Sequence, residues 1–151
     1  MQQWLVVVVV VLLAALLAAA ALVALPLRRR WLARDGGLFE CSIRLTTSTP
    51  GGGWVLGMGR YNAEVLEWFR FFSYSIRPRK SFLRSEVRVI TSRDPDAAEA
   101  VSLYSGQRIV ELEELGPGEV AGHPWEIAMG GDSLTGFLSW LESAPPRPPR
   151  I

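Results

Sequence analysis

The chain has one cysteine, Cys41, and one histidine, His123, in 151 residues. A single cysteine excludes an intrachain disulfide and suits a reducing compartment. The lone histidine, in Gly122-His123-Pro124, reads as a turn residue. It has no second histidine or cysteine nearby with which to hold a metal. The Gly51-Gly52-Gly53 run lacks the Lys-Ser/Thr that completes a phosphate loop, and it precedes a strand pattern instead of a helix. Glu111, Glu113, Glu114 and Glu119 cluster without the spacing of a calcium loop and read as a solvated face. Cys41 falls on the apolar side of a strand pattern, as a small buried hydrophobe does. No acid/base pair, nucleophile arrangement or cofactor loop survives inspection, so the sequence predicts a non-enzymatic protein with no cofactor.

Charge is missing from one long stretch. From Trp4 to Leu25 no side chain is charged, and the only polar group is the Trp4 indole. A helix over this stretch covers about 33 Å, against a hydrocarbon core of about 30 Å. Residues before the run carry no Lys or Arg, whereas Arg28, Arg29, Arg30 and Arg34 follow it directly. The run is also longer than a signal-peptide core, and arginines behind it make a stop-transfer pattern. The expectation is a single-pass anchor in the cell membrane. The four arginines would hold the C-terminal part in the cytoplasm and leave the N-terminus outside.

Charge of one sign is scarce in each half of what remains. Residues 28–93 hold 13 Lys/Arg against 5 Asp/Glu, a net of +8, and residues 94–142 hold 1 Arg against 10 Asp/Glu, a net of −9. The organisation expected is an anchor at 1–27, a basic juxtamembrane stem at 28–37, one small domain at 38–144 and a proline-rich tail at 145–151.

Within the domain, Phe39, Cys41, Ile43 and Leu45 alternate with polar residues, the mark of a half-buried strand. Trp54, Leu56 and Met58 share a face opposite Gly57 and Gly59. Asn62-Ala63 marks a tight turn, and Val65–Phe72 reads as a long central strand paired to 54–61. Val87/Val89, Val110/Leu112 and Trp125/Ile127/Met129 continue the period of two, with a turn at Gly116-Pro117-Gly118. Residues 97–107 fit a helical turn or a loop. Leu134, Phe137, Leu138 and Leu141 then recur at helical spacing, widened by Trp140, behind a cap at Asp132 or Ser133. The fold class is an N-terminal transmembrane helix plus a mainly-β domain. Six or seven antiparallel strands form a small barrel closed by one C-terminal helix, 132–143.

That order, with Trp140 on the closing helix, resembles a pleckstrin-homology-like barrel. The whole chain also resembles a family of small actinobacterial membrane proteins, the DUF 2550 family. The resemblance is carried by the N-terminal span, the basic stem and Tyr61…Leu66-Glu67-Trp68-Phe69-Arg70. It continues through Arg77-Pro78-Arg79-Lys80 and Leu134-Thr135-Gly136-Phe137-Leu138-Ser139-Trp140-Leu141-Glu142. It implies no activity.

The informative cations are Arg77, Arg79, Lys80 and Arg84, around Pro78. Near a cytoplasmic leaflet each can add about 1 kcal/mol of attraction to anionic head groups. The alternative is an ordinary solvated loop. The expected role is a membrane-anchored binding or scaffolding module touching anionic lipid or a protein partner. The alternatives are an accessory subunit of a membrane complex and a membrane-bound enzyme. Nucleic acid is not an expected partner, because the acidic half would repel it.

Overall fold

The computed structural model describes residues 2–115 and 121–143. The first helix, α1, runs Gln2–Leu32, and a single 3₁₀ turn, Ala33–Asp35, ends it. Its apolar part touches little of the rest of the protein and is long and apolar enough to cross a membrane. The helix does not stop at the end of the apolar run. It continues through Pro26 and the arginines, so most of the expected stem is helical.

Eight strands follow: β1 (Leu38–Arg44), β2 (Trp54–Val55), β3 (Gly57–Asn62), β4 (Val65–Arg70), β5 (Lys80–Leu83), β6 (Val87–Arg93), β7 (Gln107–Leu115) and β8 (Ala121–Gly130). The last helix, α2, spans Gly131–Glu142. The main path is one antiparallel, half-barrel sheet in the order β5-β4-β3-β1-β8-β7-β6, with β2 pairing β1. The chain therefore closes its sheet by laying the first strand beside the last.

The inner face holds Cys41 and Ile43 from β1, Leu66 and Trp68 from β4, and Phe82 from β5. Val110 and Leu112 come from β7, and Ile127 and Met129 from β8. Leu134 and Phe137 of α2 pack into the same core. The helix starts one residue earlier than its sequence pattern suggests. Gly130 is its cap, and no side chain bonds to its first amides. Asp132 lies in the first turn, where a carboxylate favours the helix dipole. Phe137 is the fully buried aromatic, whereas Leu138 is 38% exposed. Trp140 lies at the rim, where its indole donates to the Ala63 carbonyl at 3.0 Å.

Met58 lies on the face opposite Gly57 and Gly59, as expected, and the length of one strand is corrected. Gly57 and Gly59 point inward: a Cβ on Gly57 would lie 2.4 Å from the Trp68 ring, and one on Gly59 would lie 2.4 Å from the Phe39 ring. Their absent side chains admit those rings, and Met58 is left on the outer face. The fourth strand stops at Arg70, not Phe72. Its outer neighbour β5 begins only at Lys80, leaving residues 71–79 as a connection. Residues 97–106 form hydrogen-bonded turns, with Leu103 N–H donating to Glu99 O at 3.2 Å. Leu103 and Trp54 pack with Ile109 and Ala128, covering the outer face of β7 and β8. The backbone of Gly122-His123-Pro124 belongs to β8, not to a turn. The expected turn at 116–118, Glu119 and the tail 145–151 lie outside the described residues.

Candidate functional site

The site grows from the junction of α1 with the sheet. On the outer face, Met58 stands opposite Phe69, and Arg60 stands opposite Glu67. Alternation makes this an outward face, yet Met58 and Phe69 are buried. The last turns of α1 lie over it. Arg60 donates to the Leu32 carbonyl at 3.1 Å and to Glu67 at 2.7 Å, and Leu32 is fully buried. Burying that pair beneath a helix end satisfies a carbonyl that α1 itself leaves open.

Arg28 makes the second link. Its Nε donates to the Ser75 carbonyl at 2.6 Å, and its two Nη atoms reach the Arg70 carbonyl at 3.5 Å. The guanidinium is thus held by backbone oxygens of the β4–β5 connection. One residue earlier in that connection, the Tyr74 hydroxyl donates to the Ala21 carbonyl at 3.4 Å. The seven residues from Ala21 to Arg28 rise about 10 Å along a helix. The connection therefore runs back beside α1 to a level inside its apolar run. There it presents Phe72, 74% exposed, Tyr74, 61% exposed, and Ile76, 55% exposed.

An open groove of about 740 Å³ lies between α1 and Ile76. Its apolar wall is Ala24, Leu27 and Trp31 with Ile76, and Arg30 and Arg34 stand at its edge. Leu27, Arg30 and Trp31 are spaced i, i+3 and i+4 and share one face of α1, and Arg34, in the 3₁₀ turn, lines the same groove. Arg30 and Arg34 are exposed and carry no carboxylate partner among the described residues.

The cations expected to touch lipid divide into two pairs. Arg77 and Arg79 are exposed, and their side chains are unpaired among the described residues. Lys80 donates to Glu114 at 2.8 and 3.1 Å and sits over the Trp125 ring at 4.6 Å. Arg84 pairs with Glu64, donates to Ser143 Oγ at 3.0 Å and to Trp140 O at 3.3 Å, and covers the Trp140 ring at 5.6 Å. It thereby ties the C-terminal end of α2 to the β3–β4 turn. Lys80 and Arg84 are occupied in holding the fold; Arg77 and Arg79 are not.

A second charged centre lies on the outer face of β1, β8 and β6. Arg44 contacts Glu126 at 2.8 Å and Glu99 at 3.4 Å, and Arg93 contacts Glu99 at 2.6 Å and Glu126 at 2.7 Å. Glu99 is 2% exposed. Asp96 accepts from the Glu99 amide at 2.8 Å while the Glu99 carboxylate accepts from the Asp96 amide at 3.0 Å, a reciprocal capping box. Hydrogen bonds from Arg93 hold the Glu99 carboxyl at about 2, far below its ordinary value. The same bonds raise Arg93. These charges are mutually neutralised, and the arrangement is structural. It also undoes the reading of the chain as a basic half and an acidic half. Arg44, Lys80, Arg88 and Arg93 of the first pair with glutamates of the second.

Cys41 is buried, and burial pushes its thiol up to about 12. Its carbonyl accepts from the Trp68 indole at 2.7 Å. A thiol in that position is neither ionised nor reachable, as the strand pattern implied. No group of three or more His, Cys, Asp or Glu side chains arranged to hold a metal occurs among the described residues.

A family model described as a protein of unknown function (DUF2550) matches residues 5–147. Among curated relatives, the uncharacterized protein ML1147 of Mycobacterium leprae is 33% identical over 117 residues, 78% of each chain. The uncharacterized proteins MT1352 and Rv1312 of two Mycobacterium tuberculosis strains are each 34% identical over the same length and the same shares. No solved structure matches this chain, so the pleckstrin-homology likeness gains no structural neighbour.

Proposed function

This chain belongs to DUF2550, a protein family of unknown function, and from its geometry we propose that it is a membrane-anchored, non-catalytic module. In this reading α1 spans the cell membrane with the N-terminus outside, and the half-barrel is held on the cytoplasmic face against anionic head groups. The observation that carries it is the junction. Arg28 and Arg60 fix the sheet to the end of an apolar helix through backbone carbonyls on both sides. A domain attached this way cannot leave the bilayer surface, and unpaired Arg77 and Arg79 lie on the connection that faces it. Placing Arg28, Arg29, Arg30 and Arg34 at the inner surface follows the positive-inside bias.

Two measurements test the reading. In whole cells, on a Cys41→Ala background, a cysteine at position 2 is expected to react with a membrane-impermeant thiol reagent, and one at position 77 is not. The reverse pattern would overturn the orientation. In lipid discs, amide exchange across residues 76–80 is expected to slow with anionic lipid relative to neutral lipid. The difference should shrink as salt rises, since such attraction is screened within about 8 Å at physiological salt. Arg77→Ala with Arg79→Ala should abolish it. Equal exchange in both discs would leave a protein partner as the better reading of this face.

A further inference from the structure

We infer that the groove between α1 and the β4–β5 connection is a binding site for one anionic phospholipid, with Arg30 and Arg34 on the phosphate and Leu27, Trp31 and Ile76 along the glycerol and upper acyl chain. The inference rests on the reading that α1 spans a bilayer, and it adds a defined site to a diffuse surface attraction.

Depth is the first argument. The Tyr74 hydroxyl touches Ala21, well inside the apolar run, so Phe72, Tyr74 and Ile76 lie at the level where acyl chains meet head groups. Large exposed aromatic and aliphatic side chains are stable there, since the rings are amphipathic and the level is partly dry. In water the same exposed surface would favour aggregation.

The order of chemistry along the groove is the second. Reading from bilayer to cytoplasm on one face of α1, Ala24 and Leu27 come first, then Arg30 and Trp31, and Arg34 follows in the 3₁₀ turn. From Leu27 to Trp31 the rise is about 6 Å, within the roughly 5–8 Å of polar interface on one side of a bilayer. A phospholipid lying along α1 meets apolar groups with its apolar end and two guanidiniums with its charged end. Bidentate guanidinium–phosphate bonds suit that end.

The third argument is availability. Arg28 at the groove floor is engaged by Ser75 and Arg70 carbonyls, whereas Arg30 and Arg34 have no anion among the described residues. Elsewhere Arg44, Arg84, Arg88 and Arg93 are each supplied with a carboxylate. Two unpaired guanidiniums lining one groove suit an anion, and a phospholipid is the anion abundant at that level.

The test uses the full chain purified in a mild non-ionic detergent and native mass spectrometry after adding phosphatidylglycerol or phosphatidylcholine. Detergent removes bulk surface potential and membrane sidedness, so the result does not depend on the orientation or the surface attraction proposed above. One phosphatidylglycerol per chain is expected, favoured over phosphatidylcholine by about tenfold. Arg30→Ala with Arg34→Ala should lose that preference, and Ile76→Asp should weaken retention by placing a carboxylate in the groove. Arg108→Ala, on β7 beside its partner Asp94 and outside the groove, should keep it within about twofold. An unchanged thermal melt shows that each variant is folded. Equal retention of both lipids, or retention that ignores Arg30 and Arg34, would overturn the site.

Discussion

The two ends of the sheet use arginine in opposite ways. On the outer face of β1, β8 and β6, Arg44 and Arg93 share two carboxylates, and the cluster closes on itself around buried Glu99. At the α1 junction, Arg28 and Arg60 meet backbone carbonyls, and Arg30, Arg34, Arg77 and Arg79 meet no carboxylate among the described residues. The chain as a whole carries only +1, yet at the junction Arg60 is the one of these arginines with a carboxylate, Glu67, among the described residues. The difference marks the junction as the place where the proposed anionic partner would bind. A guanidinium cluster already neutralised attracts little; a row of unpaired ones beside an exposed aromatic loop does.

The largest effect expected concerns the core on which both ends rest. Phe137→Ala should cost about 3–5 kcal/mol, because the ring is fully buried between α2 and the sheet. Chemical denaturation read by tryptophan fluorescence checks this. A variant truncated before Gly131 that unfolds at the wild-type midpoint would show that the ends do not share a core.

Next comes the neutralised end. Glu99→Ala should destabilise by about 1–3 kcal/mol, since it leaves Arg93 with Glu126 alone and opens the capping box at Asp96. Lipid retention at the other end should be unchanged. A parallel loss of both would mean that the two clusters are coupled and the comparison fails.

A smaller effect separates the ends by pH. Glu99 is held at about 2 in the folded chain against an ordinary value of 4.5. A carboxyl depressed by folding contributes stability that is complete above the unfolded value and is lost as pH falls from about 4.5 toward 2. The loss should be about 1 kcal/mol by pH 3.5. Denaturation midpoints at pH 7 and pH 3.5 should therefore differ more in wild type than in Glu99→Gln. Equal differences would show that Glu99 does not drive the acid response.

Much of this was legible in the sequence. The i, i+3, i+4, i+7 spacing gave α2, with its boundary one residue off because Gly130 caps it by conformation and no side chain does so. The alternation at Phe39, Cys41 and Ile43 placed the inner face of β1, whereas its fourth member, Leu45, lies beyond the strand and is exposed. The length and purity of the apolar run marked α1. Other features left no local trace. Phe71 and Phe72 look like the continuation of a strand. They lie beyond its end because β5 starts late, at Lys80, and the intervening residues turn toward α1. Arg28 bonds to carbonyls 42 and 47 residues away, and a backbone oxygen has no sequence signature. Glu99 did carry a signal, the Asp96-x-x-Glu99 spacing of a capping box, hidden inside a stretch that also suits a loop.

The smallest expected effect bears on the junction itself and sharpens the comparison most. Arg28 is the one buried guanidinium that touches both α1 and the connection carrying Phe72, Tyr74 and Ile76. Arg28→Met keeps the unbranched, apolar stem but removes the donors to the Ser75 and Arg70 carbonyls. Those carbonyls lie near solvent and can take water instead, so the global cost should be only about 1 kcal/mol. The local consequence should be larger. Without Arg28 the long Tyr74–Ala21 bond is the polar link left between the connection and α1 among the described residues, and local opening then needs far less than global unfolding. Hydrogen exchange on the full chain in discs should show amides 73–76 exchanging severalfold faster, with β7 and β8 unchanged. The groove should also lose its Ile76 wall and retain less phosphatidylglycerol. Exchange in 73–76 that matches wild type would mean that Arg28 does not hold the connection, and that its burial only fills space beneath α1.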